Sequence, residues 1–168
     1  MSEETQETIQ RFHDALNSHD IGALTPLVHE DCVFETTDPV PVDAAAIAKF
    51  TETIGDTNPL HTDPEAARKG PYGGLTAPPS FAVTFRNGRH FFEHVPRFGR
   101  AGFDAGKDVE FVAPIRPGDS ITLSSHVKEI YEKTGRSGSM VFVVIRSTLT
   151  NQRGEVIAHV DHRFMNRT

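Results

Sequence analysis

The sequence predicts an α+β domain in which one antiparallel sheet packs against a helix. Helical spacing and helix caps occupy the first half of the chain, whereas the alternating apolar and polar residues of strands fill the last third. Turn-forming residues at 134–138 and 151–154 join three of these strands as consecutive antiparallel hairpins. Helices followed by a meander of strands are typical of an α+β fold.

The size and charge of the chain exclude several classes of protein. With 168 residues it fits one domain, and its formal net charge of −6 disfavours nucleic acid as a partner. The longest apolar run, at 140–145, is far shorter than the ~20 residues of a membrane-spanning helix. The acidic start has no apolar leader segment, and the single cysteine, Cys32, cannot form an internal disulfide. We therefore expect a soluble, cytoplasmic protein.

Residues 1–31 are predicted to form a helical extension. Ile9, Phe12 and Leu16 recur at helical spacing, and Asp20 is placed to cap a shorter second helix. Pro26 lies inside that second helix and predicts a kink there.

An extended segment and a capped helix are predicted next. Residues 32–42 have an extended pattern that stops at Asp43, a favourable N-cap for a helix over residues 44–54. Gly55 ends this helix at the position where a left-handed conformation is commonly required.

Two further helices are predicted on either side of a loop. Asp63 followed by Pro64 combines a cap with a rigid first helical residue, which predicts a short helix. Residues 70–79 form a loop rich in glycine and proline. A longer, buried helix is predicted over residues 79–95 from Phe81, Phe85 and Phe92 and the small residues near them.

The last third of the chain is predicted to be strand. A short strand occupies residues 108–112, and residues 140–149 form a β-branched run expected of a central strand covered on both faces. The two strands on either side each show alternation with a period of two. The residues expected to face the core are Ile121, Leu123, Val127 and Tyr131 in the first strand, and Val156, Ala158, Val160 and Phe164 in the last.

The residues that carry chemistry concentrate in the loop at 55–63. Pro59 stiffens this loop, so that Asp56 and His61 are expected on the same side, around one water molecule. A carboxylate and an imidazole in this arrangement form an acid/base pair. A second interpretation stays open, in which Asp56 and Asn58 only cap backbone groups and His61 satisfies a turn.

This loop also carries a family resemblance. The pattern Gly55-Asp56-x-Asn58-Pro59-Leu60-His61-x-Asp63 resembles the signature of the MaoC-like, or (R)-specific enoyl-CoA hydratase, family. The resemblance continues through residues 72–81 and resumes at 109–111 and 114–119. It covers about residues 32–168, which it identifies as a MaoC-like hot-dog domain. The family fold is a single hot dog, an antiparallel sheet wrapped around a long central helix.

The resemblance implies a hydratase or dehydratase. Family members add water to a trans-2-enoyl-CoA or remove it from the (R)-3-hydroxyacyl-CoA. It implies that Asp56 and His61 activate the water and that Asn58 orients either these two residues or the water. It also implies supporting or substrate-binding roles for Gly74 and Ser80. The substrate is a coenzyme A thioester, no metal or redox cofactor is needed, and two hot-dog chains are expected to pair as a homodimer or as a heterodimer.

One feature departs from the family pattern. Many active hydratases place a glycine N–H against the thioester oxygen at the start of the central helix, where an alignment without gaps puts Pro78 and Pro79. Proline has no N–H, so Ser80 is the expected substitute donor, through its N–H or its hydroxyl.

Two alternatives accompany the hydratase interpretation. The chain could be a non-catalytic subunit of a heteromeric dehydratase, or an acyl-CoA thioesterase on the same fold.

Two weaker signals concern other sites. Residues 7–38 resemble the opening of SnoaL-like domains, although the rest of that fold has no counterpart in the chain. His90 and His94 have a spacing that suits zinc, but no third ligand accompanies them. We therefore predict neither a second active site nor a metal site.

Overall fold

A computed structural model describes residues 20–27, 33–86, 101–135 and 138–167, together with residues 7, 10–12, 14, 15 and 18. Its strands all pair antiparallel in one six-stranded sheet. They are β1 (Val33–Thr36), β2 (Val40–Pro41), β3 (Ala101–Phe111), β4 (Ser120–Gly135), β5 (Gly138–Asn151) and β6 (Val156–Arg167). The strand order is β1-β4-β5-β6-β3, and β2 pairs with β4 beside β1. The predicted α+β class is confirmed.

The helices in the described residues are short and begin at the predicted caps. Asp20, Asp43 and Asp63 each accept a backbone N–H from the first turn of the helix that follows. The second helix of the extension continues as a 3-10 turn around Pro26, in agreement with the predicted kink. The helices are α1 (Ile21–Leu24) with the 3-10 turn Thr25–Leu27, α2 (Ala44–Thr53), α3 (Pro59–Thr62), α4 (Pro64–Lys69) and the 3-10 helix Pro79–Thr84.

The predicted meander is confirmed, but one strand changes its inward face. Strands β4, β5 and β6 follow one another as antiparallel hairpins. A β-bulge shifts the register of β4 between Val127 and Glu129, and it reverses the alternation beyond that point. Ile130 is therefore buried, whereas Tyr131 is only partly buried. The prediction that Tyr131 shares the inward face of Val127 is wrong for this reason.

Strand β3 is longer than the sequence predicts. It starts at Ala101 rather than at residue 108, and it pairs with β6 along most of its length. In its first half the alternating residues are mostly alanine, with Gly102, Asp104 and Gly106 between them, and these residue types have low strand propensity. A bulge between Asp104 and Lys107 interrupts the pairing. Pairing to β6, rather than intrinsic propensity, makes this segment a strand.

The helix predicted at 79–95 is not continuous. Residues Pro79–Thr84 form a 3-10 helix, and Phe85 is extended with φ −67° and ψ 126°. The Thr84 hydroxyl donates to the Phe81 carbonyl at 2.7 Å, a local bond that competes with helix continuation. Residues 87–95, including His90 and His94, lie outside the described residues.

One face of the sheet carries the core, in two parts. Leu123, Leu149 and Ala158, neighbours on successive strands, pack with Ile47 of α2 and with Phe81. Farther along the same face, a second cluster joins residues of β4 and β5 to the described part of the extension. Its buried members are Ala15, Leu24, Val127, Ile130, Val141, Val143 and Ile145. The extension thus completes the core of the sheet.

The opposite face of the sheet is polar at its centre. Strand β5 is central in the sheet, as predicted. Its Arg146 points outward and binds Asp161 of β6, with Arg146 Nε 2.7 Å from Asp161 Oδ1. Lys128 Nζ lies 2.6 Å from Asp161 Oδ2. The expectation of apolar cover on both faces of residues 140–149 is therefore wrong at Arg146 and Thr148, which are half-buried and polar, although Val144 on the same outward face is buried.

Candidate active site

The candidate site begins where α2 ends. Gly55 has φ 67°, in the left-handed region that favours glycine, and it turns the chain away from the helix. Asp56 Oδ1 accepts the N–H of Asn58 at 2.9 Å, and Asn58 Oδ1 accepts the N–H of Leu60 at 3.0 Å. Pro59 occupies the first position of α3, where no donor is required. Two successive Asx turns and a proline therefore fix the direction of α3 and of His61 on it.

Asp56 and His61 form a directly hydrogen-bonded pair. His61 Nδ1 lies 2.6 Å from Asp56 Oδ2, a distance that leaves no space for a water molecule between them. The His61 side chain is 9% exposed and that of Asp56 is 21% exposed. The two interpretations of the loop are therefore compatible: one Asp56 oxygen caps a backbone N–H, as does Asn58, and the other holds the imidazole.

The hydrogen bonds around Asp56 determine its charge. The N–H of Asn58 and the ring of His61 hold the pKa of the Asp56 carboxyl below its usual value. Asp56 is therefore a carboxylate at neutral pH and only accepts hydrogen bonds, so the proton between the two groups belongs to Nδ1. In a neutral imidazole this leaves Nε2 as an acceptor, and Nε2 has no hydrogen-bond partner among the described residues.

His61 lines a pocket of about 350 Å³, whereas Asp56 lies outside the lining. The pocket is lined by residues of α3 and the loop after α4, together with the end of β3 and the turn that follows it. Its polar lining residues are Asn58, His61, Tyr72 and Thr76. The remaining lining is apolar: Leu60, Ala77, Pro78, Pro79, Phe111, Val112, Ala113, Pro114, Ile115 and Ile157. One imidazole thus projects into a mostly apolar cavity.

The supporting residues that the sequence predicts divide between the pocket and its surroundings. Asn58 lines the pocket, whereas Gly74 is half-buried behind it, close to Arg116. Arg116 Nη1 donates to the Tyr72 carbonyl at 2.8 Å and fixes that part of the wall. Ser80 is exposed and is absent from the lining. The structure therefore brings Asp56, Asn58 and His61 together, but not Ser80.

Tyr72 and Thr76 are pocket residues that the sequence interpretation does not name. Both belong to the segment 72–81 that carries the family resemblance, so a signal for them is present in the sequence. Residue type alone does not separate them from ordinary loop residues. Only the fold places them opposite α3.

A larger depression of about 550 Å³ lies on the outer face of the sheet and includes Lys128, Arg146 and His159. Its charged groups are already paired, because Lys128 and Arg146 share the carboxylate of Asp161. His159 Nδ1 lies 3.0 Å from the Thr148 hydroxyl. The groups of this depression stabilise one another, whereas His61 Nε2 has no partner among the described residues, which makes the pocket at His61 the stronger candidate site.

Comparison with known proteins identifies the family. A model described as FAS1-like, dehydratase domain region matches residues 32–160. The chain belongs to the FAS1-like dehydratase domain family. The match starts at the first residue predicted for the hot-dog domain. The SnoaL-like resemblance lies mostly before it and stays a prediction.

Individual relatives of this FAS1-like dehydratase domain are moderately similar. A UPF0336 protein of Streptomyces avermitilis is 32% identical over 130 residues, which are 73% of this chain and 81% of that protein. A probable enoyl-CoA hydratase alpha subunit of Thermomonospora curvata is 31% identical over 135 residues, or 70% of this chain. The chain spans only 42% of that subunit.

The fold comparison agrees with the family. The crystal structure of a MaoC-like dehydratase from Rhodospirillum rubrum superposes with a TM-score of 0.61 at 28% identity, covering 83% of this chain and 96% of that one. The predicted resemblance to MaoC-like proteins and the hot-dog architecture are confirmed. Within the described ranges no helix is long and apolar enough to span a bilayer. The same residues contain no cluster of three metal-ligating side chains.

Proposed function

We propose that the chain interconverts a trans-2-enoyl-CoA and the corresponding (R)-3-hydroxyacyl-CoA, with His61 as the general base. The observation that carries the proposal is a buried imidazole in an apolar pocket whose Nδ1 is held by an ionised carboxylate. Such an imidazole accepts a proton at Nε2. The names of similar proteins, which include a probable enoyl-CoA hydratase subunit, support the same chemistry.

The proposed hydration proceeds through an enolate. A water molecule bound to His61 Nε2 gives up one proton to that nitrogen while its oxygen bonds to C3 of the substrate. The C2–C3 π electrons move onto the thioester oxygen. The enolate then re-forms the carbonyl, and C2 takes the proton back from Nε2. The elements of water are added without net oxidation or reduction, and Asp56 retains its charge throughout as the residue that positions the imidazole.

The pocket suits a thioester with an aliphatic chain. Its lining is largely apolar, as expected for an acyl group, and its polar residues besides His61 are only Asn58, Tyr72 and Thr76. The Asn58 oxygen is engaged by the Leu60 N–H, so its amide nitrogen is the group proposed to orient the water. The supporting role that we propose for Gly74 comes from its place beside Arg116, which holds the Tyr72 carbonyl of the pocket wall.

A substrate panel tests this proposal. Purified protein is incubated with trans-2-enoyl-CoA thioesters of increasing chain length, and the loss of absorbance of the conjugated thioester is followed. Release of free thiol is measured in parallel. Loss of conjugation without thiol release supports the hydratase, and thiol release supports the thioesterase alternative. A folded protein that does neither supports the non-catalytic subunit.

Ser80→Ala is expected to leave turnover almost unchanged. The Ser80 side chain is exposed and lies outside the pocket lining, and alanine retains the backbone N–H. The steady-state rate of hydration by this variant is compared with that of the unmodified chain. A loss of about tenfold to a thousandfold would instead show that the Ser80 hydroxyl contributes a hydrogen bond to the thioester oxygen.

We propose that the chain pairs with a second hot-dog chain along β3. Among the described residues β3 is bonded only on the side of β6, so its other edge is open. Phe103 and Phe111 on this strand are 52% and 50% exposed, and Val112 beside them is also exposed. An open edge with exposed apolar side chains favours pairing with another strand. Phe111 and Val112 also line the pocket, so this partner would border the substrate.

Light scattering is expected to give about twice the 18.5 kDa mass of the chain, unless a related chain is the physiological partner. Phe103→Asp is expected to restore the monomer mass, because a charge on an open edge opposes strand pairing. Ile54→Lys is the control, since Ile54 is an exposed apolar residue outside β3. An active monomer, or equal effects of the two substitutions, would contradict pairing along β3.

A further inference from the structure

The Thr76 hydroxyl has no hydrogen-bond partner among the described residues, and Thr76 lines the pocket together with His61. The residue as a whole is 2% exposed. Its backbone N–H donates to the Leu60 carbonyl at 3.1 Å, but its side-chain oxygen has no partner in the part of the chain that the structure describes. A hydroxyl that faces a cavity and has no protein partner is available to a molecule bound there.

The other threonine and serine hydroxyls of buried residues are paired within the described part of the chain. Thr51, which is equally buried, donates its hydroxyl to the Ile47 carbonyl at 2.8 Å. Ser125 and Ser147 share a hydrogen bond of 2.8 Å across β4 and β5. Thr76 differs from these three residues in facing a cavity rather than packed protein, which leaves its hydroxyl available to a bound molecule.

The backbone holds Thr76 in a fixed position beside the imidazole. The bond from the Thr76 N–H reaches the carbonyl of Leu60, the residue before His61. The next N–H along the chain, that of Ala77, donates to the Ile115 carbonyl at 2.8 Å. Thr76 is therefore tied to α3 on one side and to the turn after β3 on the other, so little reorganisation is needed to use its hydroxyl.

This wall of the pocket has no free backbone donor at the same place. The N–H groups of Thr76 and Ala77 are both used, and Pro78 and Pro79 have none. Within residues 76–79 the donor left for a carbonyl oxygen is therefore the hydroxyl of Thr76, while the Asn58 amide nitrogen is the group proposed to orient the water. In an apolar pocket such a donor is worth more than in water.

We infer that the Thr76 hydroxyl donates a hydrogen bond to the thioester oxygen of the substrate, which makes Thr76 a further catalytic residue. The inference rests on the proposed hydratase function. The bond strengthens when the π electrons move onto that oxygen, because the acceptor then carries negative charge while His61 carries the proton. No covalent bond to Thr76 forms, and its proton stays on the hydroxyl.

The test compares Thr76→Val, which has nearly the same shape without the hydroxyl, with Thr76→Ser, which retains it. Thr76→Val is expected to lower kcat by about tenfold to a thousandfold with a smaller effect on KM, the pattern of an interaction made mainly in the transition state. Thr76→Ser is expected to keep most of the turnover. Thr148→Val is the control, because it removes a threonine hydroxyl from the outer face of the sheet, remote from His61.

A second measurement does not depend on turnover. Vibrational difference spectra of a bound acyl-CoA, isotope-labelled at the thioester carbonyl, report the hydrogen bond directly. The carbonyl stretch is expected to be lower in the unmodified chain and in Thr76→Ser than in Thr76→Val, or than in Thr76→Ala if the valine variant does not fold. An unchanged stretch, or an unchanged kcat in Thr76→Val, would overturn the assignment. If the unmodified chain hydrates no enoyl-CoA, the proposed function fails, and the role of Thr76 fails with it.

Discussion

Replacement of His61 by alanine is expected to remove nearly all hydration activity. His61 is the titratable group with an open ring nitrogen in the pocket lining, and the proposed mechanism passes both proton transfers through that nitrogen. Loss of a general base costs about a hundredfold to ten-thousandfold in rate. The measurement is the steady-state rate with the best enoyl-CoA of the panel.

His61→Ala also leaves a cavity and an Asp56 carboxylate without its partner, so folding is monitored by circular dichroism and thermal unfolding. His61→Gln, which fills more of the space, provides a second test of the same role. His159→Ala is the matched control, because His159 is a half-buried histidine on the outer face of the sheet. Retention of near-full turnover by a folded His61 variant would exclude His61 as the base.

Asp56→Asn is expected to lower kcat by about a hundredfold to ten-thousandfold with little change in KM. An asparagine offers Nδ1 of His61 a donor as readily as an acceptor, so the ring is no longer held with Nε2 free to accept the water proton. Asp63→Asn is the matched control on the same loop. Asp63 caps α4 through the N–H groups of Glu65 and Ala66, a role that asparagine retains.

The effects of the two substitutions at the pair are expected not to add. Asp56 acts through His61, so Asp56→Asn in a His61→Ala background has little left to remove.

The lowered pKa of Asp56 determines the pH range in which the pair is intact. The Asp56 charge and its bond to His61 are fully present above about pH 4, near the ordinary pKa of an aspartate. They are lost only as the pH falls through the lower pKa of the folded protein. Additive losses, or an activity that disappears well above pH 4 because Asp56 becomes protonated, would contradict this role.

The local chemistry of the candidate site is readable from the sequence. The Asx caps at Asp43 and Asp63, the left-handed Gly55 and the proximity of Asp56 to His61 all depend on residues within a few positions of one another. Interactions of this range are determined by residue type and spacing. The spacing of residues in the sequence does not distinguish a direct hydrogen bond between Asp56 and His61 from a contact through a shared water molecule.

The features that the sequence does not reveal depend on distant contacts. The register shift in β4 exchanges Tyr131 for Ile130, and the pairing partner β6 extends β3 back to Ala101. The pocket role of Thr76 likewise requires residues of α3 and of the turn after β3 to meet. A single sequence contains the residues for these contacts but not their juxtaposition.

The central claim is that this chain adds water to an enoyl thioester through His61. The most direct measurement is chiral analysis of the product formed from a trans-2-enoyl-CoA by the unmodified chain and by His61→Gln at equal concentration. The account predicts the (R)-3-hydroxyacyl-CoA from the unmodified chain and almost none from the variant. A folded, unmodified chain that leaves every enoyl-CoA of the panel intact, or equal product from both proteins, would contradict it.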